Sequence, residues 1–371
     1  MSGIGYQRQT ASTGQSNRGA YRGRGTSRGG SSSSYRDTRS THQGHSHPVR
    51  EKTDPSSTIV DDWRSLDDFP YKALTFNLSN FGRDWFNESE MHVPENLPTL
   101  AVASVGKTWN FMGVDNVSCV TKKTAYLKIN RMTDFFSEYA RIRAKIKGKL
   151  SPYEYWQRNK EKIIASHMNL ADQREAIYQA TPEATLFKIS TTYRLLTYFK
   201  SKKVLDPSAG WGDRVLGAAY AGVDVYHGVD PNKDLRQAYD NILEYINMPN
   251  FSILTEDFLQ TTLNGEYDTV FTSPPFFDFE IYSTDNTQSI AGRSTIQDWQ
   301  EKFYRPYLTK AWNALAKGGK MCIYVSDNKK ITGLVSGTFE VMESLGGQYA
   351  GAIAIVNDEL TRPFPLWVWY K

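Results

Sequence analysis

From Pro182 onward the sequence alternates between short apolar runs and longer segments of helical periodicity, and this alternation constrains the fold more than any other feature. Parallel strands need helix-length connections, so the pattern favours a sheet covered by helices on both faces. We predict an α/β, doubly wound, mostly parallel seven-stranded sheet over 181–371, with an antiparallel pair at its end. The predicted strands are Val204-Leu205, Val225–Val229, Ser252–Leu254, Thr269–Thr272, Lys320–Val325, Ala350–Val356 and Leu366–Tyr370; the predicted helices are Pro182–Lys200, one from Arg214, Asp234–Ile246 and Thr295–Ala316.

A glycine turn follows the first of these strands and leads directly into a helix. Gly210 and Gly212 let the backbone approach a ligand beside a helix N-terminus, and Ser208 lies in the same turn. A dinucleotide-binding fingerprint would need a third glycine where Val215 stands, so a diphosphate ligand is disfavoured. The turn favours a nucleoside-type cofactor that lacks a diphosphate.

Carboxylates accompany three successive predicted strands. Asp230 can accept hydrogen bonds from both hydroxyls of a ribose, and Asp257 from an adenine amino group whose ring faces Phe258. Asp206 is placed for the positive end of an amino-acid moiety. Each acid alone is compatible with an ordinary loop carboxylate or helix cap, but their occurrence together beside the glycine turn favours a binding site.

This arrangement resembles the class I S-adenosylmethionine-dependent methyltransferases over roughly 182–371. The resemblance implies a Rossmann-like methyltransferase sheet, S-adenosyl-L-methionine as cofactor and an enzyme of the N-methyltransferase type. Asp230 and Asp257 fall where the family contacts ribose and adenine. Phe187 lies where related enzymes place an aromatic contact to the methionine end of the cofactor, although it is equally compatible with the core.

A rigid loop, Ser273-Pro274-Pro275-Phe276, follows the fourth strand. Consecutive prolines fix the local carbonyls and donate no N–H, so the Ser273 hydroxyl and the Pro274 carbonyl can accept the hydrogens of a poorly nucleophilic aromatic amine. Phe276 offers a face on which a base can stack. Rate would then come from orientation and preorganised acceptors. The loop is similar to the catalytic signature of amino-methyltransferases that act on adenine N6 or cytosine N4.

The target base stays open. Serine at the first loop position is commoner among cytosine-N4 enzymes, whereas the order of the cofactor and catalytic motifs occurs in several adenine-specific groups. Related loops also occur in tRNA guanine-N2 and protein glutamine methyltransferases. Cytosine-C5 chemistry is excluded, because it needs a Pro-Cys nucleophile and Cys119 and Cys322 follow Ser118 and Met321. DNA is slightly preferred over RNA as the substrate; the alternatives are RNA methylation and a non-catalytic nucleic-acid-binding subunit.

The chain is predicted to have three parts: a disordered tail over 1–58, an accessory or substrate-recognition region over 59–180, and the methyltransferase domain over 181–371. Residues 1–50 hold eight arginines and one acid, so the remaining 321 residues carry a net charge of −3. This rules out a uniformly basic nucleic-acid-coating protein. The Arg/Gly tail suits sequence-tolerant RNA contact or solubilisation.

The sequence between the cofactor and catalytic motifs is too short to hold a target-recognition domain. Target recognition must therefore come from 59–180, from the insert 279–298 or from another chain. Within 59–180 we predict a strand over 127–129, a helix over 133–147 and a second helix that begins at Ser151-Pro152. One basic stretch either forms a solvated helix face or contacts phosphates: Arg141, Arg143, Lys145, Lys147 and Lys149. A target inside a duplex would have to be flipped out of the stack.

Two widely separated cysteines and the lack of a long apolar run indicate an intracellular, soluble protein without a membrane span. No histidine spacing indicates a metal site.

Overall fold

The computed structural model describes nine stretches of the chain, all within the second of its two units, Thr53–Lys371. The tail predicted over 1–58 and Leu127 of the predicted strand lie outside the described residues. The described stretches are 67–72, 96–102, 111–112, 114–121, 128–167, 169–283, 285–329, 331–357 and 363–371.

The described stretches form eleven strands and nine α-helices. The strands are β1 (Thr99–Ala101), β2 (Asn116–Thr121), β3 (Lys145–Ile146), β4 (Lys203–Asp206), β5 (Val225–Val229), β6 (Phe251–Leu254), β7 (Tyr267–Thr272), β8 (Glu280–Ile281), β9 (Leu315–Tyr324), β10 (Gln348–Val356) and β11 (Phe364–Tyr370). The helices are α1 (Met132–Arg141), α2 (Pro152–Ser166), α3 (Leu170–Ala180), α4 (Ile189–Phe199), α5 (Asp213–Tyr220), α6 (Arg236–Ile246), α7 (Ile296–Trp299), α8 (Arg305–Asn313) and α9 (Leu334–Ser344).

Nine of these strands form one sheet in the order β1-β2-β10-β11-β9-β7-β4-β5-β6. Strands β6, β5, β4, β7 and β9 are parallel, and β11 runs antiparallel to both β9 and β10. The seven strands from β10 to β6 confirm the predicted α/β, doubly wound, mostly parallel fold. The chain proceeds from β4 to β5 and β6, then returns to β7 on the other side of β4. Sheets of this kind bind ligands at such a switch point, outside the carboxyl ends of the strands.

Two further strands extend the sheet past its predicted edge. Strand β2 is parallel to β10 and antiparallel to β1, so part of the region 59–180 belongs to the central sheet. Helices α2 and α3 of the same region contact each other over a small apolar cluster that includes Phe69, Trp156 and Ile177. The predicted start of α2 is confirmed, since Ser151 and Glu154 form a reciprocal capping box.

The central strands are buried on both faces, which explains why they are short and apolar. In β4, Val204 packs into the apolar cluster on one side of the sheet and Leu205 into the cluster on the other. In β7, Phe271 and Val270 divide in the same way. Both sides of a parallel sheet are covered by helices, so strand residues are apolar without alternation. The helices thereby fix the carboxyl ends of β4 and β7 side by side.

Several predicted elements are wrong in extent or type. The helix over 133–147 ends at Arg141, and the residues predicted as a strand at 128–129 lie in a 3₁₀ turn, Lys128–Arg131. The helix predicted from Pro182 begins only at Ile189, because Lys188 has φ 76°, which an α-helix does not allow. The long helix over 295–316 is interrupted by a π-helical turn at Gln300–Tyr304, and α9 was not predicted.

None of the helices in the described part of the chain is long and apolar enough to cross a membrane.

Candidate cofactor and acceptor site

A cavity of about 390 Å³ opens at the switch point between β4 and β7. Its volume lies in the range of small-molecule and cofactor sites. The structure brings together nine of the predicted site residues in its walls: Phe187, Ser208, Gly210, Asp230, Asp257, Phe258, Ser273, Pro275 and Phe276. The predicted residues Asp206, Gly212 and Pro274 are not among the lining residues.

Asp206 supports the glycine turn from behind and does not face the cavity. It is fully buried, and its Oδ2 accepts hydrogen bonds from Arg214 Nε at 2.6 Å and from the Tyr226 hydroxyl at 2.7 Å. Arg214 also donates to the backbone carbonyl of Ser208. The sequence-based role for Asp206 as the partner of a cationic amino-acid group is therefore corrected, because a guanidinium and a phenol already occupy this carboxylate.

The two glycines of the turn have different structural roles. Gly210 has φ 61°, and its N–H donates to Asp230 Oδ2 at 2.9 Å in the cavity wall. Gly212 has φ 91°, and a Cβ added there would lie 2.4 Å from Cδ1 of Ile242 in α6. Gly212 thus has a packing role, since it lets α5 approach α6, and its predicted contact with the cofactor stays a prediction.

Asp230 is held by two backbone donors at the end of β5. Its Oδ2 accepts from Gly210 and its Oδ1 from the N–H of Asn232 at 3.0 Å. Burial raises the pKa of Asp230 to about 6, and the hydrogen bonds from Asn232 and Gly210 oppose that rise. Each carboxylate oxygen can accept a further hydrogen bond, so the side chain can still take donors from a ligand.

Asp257 and Phe258 follow β6 at the other end of the cavity. The Oδ1 of Asp257 accepts the backbone N–H of Leu259 at 2.9 Å, which fixes the carboxylate at the start of a tight turn. Phe258 is buried and contacts Tyr307 edge-to-face, with ring centroids 5.2 Å apart. Asp257 and Phe258 both line the cavity, and their contacts with an adenine stay a prediction.

Phe187 enters the cavity from the segment before α4. Its N–H donates to Asp213 Oδ2 at 3.1 Å, and its ring packs edge-to-face against Phe271 and Tyr324. This ring is partly core and partly cavity wall, and its contact with the methionine end of the cofactor stays a prediction.

The Ser273–Phe276 loop forms the wall beside β7. Phe276 contacts Phe364 edge-to-face at 6.1 Å, and Phe364 stacks on Tyr324 at 4.1 Å, which gives this end of the cavity an aromatic lining. The turn is closed by the N–H of Phe279, which donates to the Phe276 carbonyl at 3.0 Å. Ser273 therefore sits in a cavity with aromatic walls, where a planar base can be held.

Sequence reasoning missed Tyr307, which joins the two motifs. Its hydroxyl lies 2.7 Å from Ser208 Oγ in the glycine turn and 2.6 Å from Thr272 Oγ1, the residue before Ser273. Tyr307 is in α8, directly after the π-helical turn, and such turns often occur at functional sites. A tyrosine inside a long amphipathic helix gives no signal in the sequence that would distinguish it from core.

Most of the basic stretch predicted to contact phosphates is engaged within the protein. Arg141 is buried and forms ion pairs with Asp134 and Glu183. Two further members of the stretch also form ion pairs: Arg143 with Asp67 at 2.8 Å and Lys145 with Glu154 at 2.7 Å. The phosphate role is corrected for Arg141, since no ligand can reach it.

Lys147 and Lys149 are exposed, and Lys147 contacts a residue that lines the cavity. They follow β3, which pairs with β8, and the N–H of Lys147 donates to the Phe279 carbonyl at 2.9 Å. The Lys147 ammonium lies 5.2 Å from the centre of the Phe279 ring, and both Phe279 and Glu280 line the cavity. Lys147 is thus positioned near one wall of the cavity, and Lys149 lies two residues further along the chain.

The insert 279–298 covers part of the cavity. Glu280 lines it and accepts the Tyr282 hydroxyl at 2.6 Å, and burial raises the pKa of Glu280. Thr287 also lines the cavity and donates to the carbonyl of Pro231, beside Asp230. The insert therefore lines the cavity and also contacts the segment beside Asp230.

No protein-family model matches the chain. A stretch of 141 residues is 25% identical to a tRNA (guanine(10)-N2)-dimethyltransferase of Methanothermobacter thermautotrophicus, and the match covers 38% of each chain. The chain thus spans little more than a third of that relative's length.

Solved structures with a similar fold include a methyltransferase from Pyrococcus furiosus, at 16% identity and a TM-score of 0.36, which covers 57% of this chain and 98% of that one. A putative RNA methyltransferase from Pyrococcus horikoshii matches at 17% identity and a TM-score of 0.33, covering 49% and 81%. Both TM-scores are below 0.5, so the fold assignment rests on the strand order itself.

Proposed function

We propose that this protein is an S-adenosylmethionine-dependent methyltransferase that modifies an exocyclic amino group of a nucleic-acid base, with RNA as the favoured substrate. One observation carries the proposal. A single cavity joins the carboxylates that follow β5 and β6 to the Ser273–Phe276 loop that follows β7. A cofactor nucleoside and an acceptor base can therefore meet at the switch point of the sheet.

The residues present fit the cofactor. Asp230 would accept the ribose hydroxyls, and Asp257 the adenine amino group with Phe258 against the ring. When bound, S-adenosylmethionine supplies an electrophilic methyl group on a sulfonium. Asp206, Asp213 and Asp230 outnumber the two cations near them, Arg214 and Lys188, so this part of the site favours a cationic ligand.

The acceptor amine would be oriented by fixed oxygen atoms. The Ser273 hydroxyl, which lines the cavity, accepts one of its hydrogens and helps to direct the nitrogen lone pair towards the methyl group. The Pro274 carbonyl was predicted as the second acceptor, but Pro274 is not among the lining residues, so this role requires the loop to shift. Phe276 stacks on the base, and the aromatic lining excludes water. The protein contributes position and preorganised acceptors.

One feature favours RNA over DNA. The relative with 25% identity over 141 residues is named as a tRNA dimethyltransferase, and its acceptor, guanine N2, is an exocyclic amine of the kind that the loop predicts. Lys147 and Lys149 could contact the phosphates of either nucleic acid. DNA is the second candidate, supported by the similarity of the Ser273 loop to adenine-N6 and cytosine-N4 enzymes. Guanine N2, adenine N6 and cytosine N4 are the candidate acceptors.

Ser273→Ala tests the catalytic assignment. We expect unchanged cofactor affinity by calorimetry and a loss of about 10²-fold in kcat, the effect of removing one preorganised hydrogen-bonding group in a dry site. Ser289→Ala is the matched control, because Ser289 also lines the cavity but lies in the insert. Wild-type turnover by Ser273→Ala would remove Ser273 from the mechanism.

The predicted nucleic-acid contact is tested by removing Lys147 and Lys149. Lys147→Ala/Lys149→Ala should raise KM for RNA and reduce the dependence of binding on salt, since fewer counterions are released. The control Lys200→Ala/Lys202→Ala makes the same charge change before β4, at the opposite edge of the sheet. An equal rise in KM for both pairs would show that Lys147 and Lys149 have no specific contact with the substrate.

A further inference from the structure

Ser326 has an unpaired hydroxyl in the wall of the cavity. The residue is 4% exposed and lines the cavity just after β9. Its Oγ forms no hydrogen bond with any residue that the structure describes, and it is not one of the unpaired side-chain atoms that are sealed from solvent. Buried hydroxyls are usually hydrogen-bonded, because an unpaired one costs free energy. An unpaired hydroxyl that stays open to a cavity is therefore available to a ligand.

The strand register places Ser326 on the same face of the sheet as Ser273. Strands β7 and β9 are parallel neighbours, and Phe271 of β7 packs into the apolar cluster on one side of the sheet. Side chains alternate along a strand, so Ser273, two residues after Phe271, lies on this side. The alternation continues past the end of β9, since Tyr324 packs against the same cluster and Val325 belongs to the opposite one. Ser326 therefore follows Tyr324 on the side of Ser273.

The distance between the two serines fits a single amine. Thr272 of β7 lies opposite Ile323 of β9, so Ser326 is two residues beyond the level of Ser273. A strand spacing of about 4.8 Å and a rise of about 3.3 Å per residue separate the two Cα atoms by about 8 Å. Two acceptors that each lie about 2.9 Å from one amine nitrogen, along its two N–H bonds, are about 5 Å apart. Serine side chains that lean towards each other across the gap between their Cα atoms reach this separation.

Aromatic rings bound the space beside the two hydroxyls. Leu366 of β11 pairs with Tyr324 of β9, which brings Phe364 beside Ser326 in the next strand. Phe364 stacks on Tyr324 and contacts Phe276 edge-to-face. A planar base held against these rings would present an amine on its edge to both hydroxyls. This space lies on the opposite side of β4 from β5 and β6, whose ends carry the proposed cofactor carboxylates, so the base and the nucleoside need not compete for room.

We propose that the Ser326 hydroxyl is the second acceptor for the hydrogens of the reacting amine, on the other side of that amine from Ser273. This inference rests on the proposed function and names one further contact in its acceptor subsite. Pro274, the acceptor that the sequence predicted, does not line the cavity, whereas Ser326 lines it without any movement of the loop.

With both hydrogens engaged, the lone pair of the amine nitrogen is directed out of the plane of the base, towards the methyl group. The lone pair then forms the new N–C bond while the electrons of the broken S–C bond stay on sulfur, and one amine proton is released to solvent. Ser326 contributes orientation and takes no part in the transfer of the proton.

Methyl transfer by serine variants tests this contact. The assay uses S-adenosylmethionine labelled in its methyl group and whichever of separate RNA and DNA pools the wild-type protein labels. Ser326→Ala should lower kcat by about 10- to 100-fold, as for one lost hydrogen bond in a preorganised site, and change KM for the nucleic acid by less than about threefold. Its affinity for S-adenosylhomocysteine by calorimetry should be unchanged, which also shows that the variant is folded.

Ser289→Ala is the matched control, because Ser289 lines the same cavity from the insert 279–298 and its variant should keep the wild-type rate. The double variant Ser273→Ala/Ser326→Ala distinguishes a joint role from an independent one. Two groups that hold one amine act as a unit, so the loss of kcat in the double variant should be smaller than the product of the two single losses.

The outcomes separate this inference from the proposed function. If Ser326→Ala keeps the wild-type rate, or if the single losses multiply in the double variant, the Ser326 contact is wrong and the methyltransferase assignment stands. A lower affinity of Ser326→Ala for S-adenosylhomocysteine would place Ser326 in the cofactor subsite and would also overturn the contact. If the wild-type protein binds S-adenosylhomocysteine but labels neither pool, the proposed function fails, and the contact fails with it.

Discussion

Gly212→Ala should destabilise the fold, although Gly212 was predicted to bind the cofactor. Its backbone has φ 91°, a conformation that alanine rarely adopts. The added Cβ would lie 2.4 Å from Cδ1 of Ile242 and 3.8 Å from its Cγ1. Because contacts below 3 Å essentially never occur for real Cβ atoms, α5 or α6 must move. Gly210 provides the comparison, since an added Cβ there would meet nothing closer than 3.5 Å.

The expected penalty has two parts. A left-handed backbone costs a non-glycine residue about 1–2 kcal/mol. Forcing an extra carbon into a packed helix interface costs about 1–3 kcal/mol more. Gly212→Ala should therefore lower the free energy of unfolding by about 2–5 kcal/mol, and Gly210→Ala by about 1–2 kcal/mol.

A double-mutant cycle isolates the steric part. Ile242→Val removes Cδ1, the atom in collision, and alone should cost about 0.5–1.5 kcal/mol. In the Gly212→Ala background the same change should be neutral or stabilising, because it makes room for the new Cβ. The predicted coupling free energy between the two positions is about 1–3 kcal/mol.

Urea denaturation of the four proteins, followed by circular dichroism, measures that coupling. Effects that add to within about 0.5 kcal/mol would refute the packing role of Gly212. Calorimetry with S-adenosylhomocysteine gives an independent check. A loss of affinity without a loss of stability would return Gly212 to the direct cofactor contact that the sequence suggested.

Three further predictions test individual residues. Ribose binding favours ionised Asp230, whose pKa is raised to about 6, so cofactor affinity should fall as the pH drops from 7.5 to 5, and Asp230→Asn should flatten this change. Calorimetry at both pH values measures the affinity, and a constant affinity of the wild-type protein would contradict the prediction. Tyr307→Phe removes two hydrogen bonds between the ends of β4 and β7 and should lower the free energy of unfolding by about 1–3 kcal/mol. Urea denaturation measures this loss, and an unchanged midpoint of the urea transition would exclude it. Arg141→Met leaves Asp134 and Glu183 without their buried cation and should lower the free energy of unfolding by about 3–5 kcal/mol, while the RNA affinity of the folded protein stays constant. A lower RNA affinity at unchanged stability would contradict the burial of Arg141.

The sequence predicts the central strands well because their signals are local. Val225–Val229 is a short segment rich in β-branched and aromatic residues between two helical segments, and its observed bounds are those predicted. Strand β2 and the β3–β8 pair were missed, because each owes its conformation to a partner far along the chain. The early end of α1 has the same cause, since Lys145 pairs with Ile281 rather than continuing the helix.

The sequence likewise predicts some features of the candidate site and not others. Asp230, Asp257 and Ser273 lie in the cavity wall because parallel strands all end at one edge of the sheet, which is a rule of topology that the sequence reveals. Whether a given carboxylate is free or already paired depends on three-dimensional neighbours. Asp206 is neutralised by a guanidinium eight positions later, whereas Oδ1 of Asp213, a residue that no sequence pattern singled out, has no hydrogen-bond partner among the described residues.

The most direct test of the central claim is methyl transfer itself. The protein is incubated with S-adenosylmethionine labelled in its methyl group and with separate pools of RNA and DNA, and the modified nucleoside is identified by mass spectrometry. The proposal predicts label on an exocyclic amine of an RNA base, with transfer much reduced for Ser273→Ala and retained for Ser289→Ala. Label on DNA alone would reassign the substrate, and label on a ring carbon, or no transfer from a protein that binds the cofactor, would contradict the amino-methyltransferase assignment.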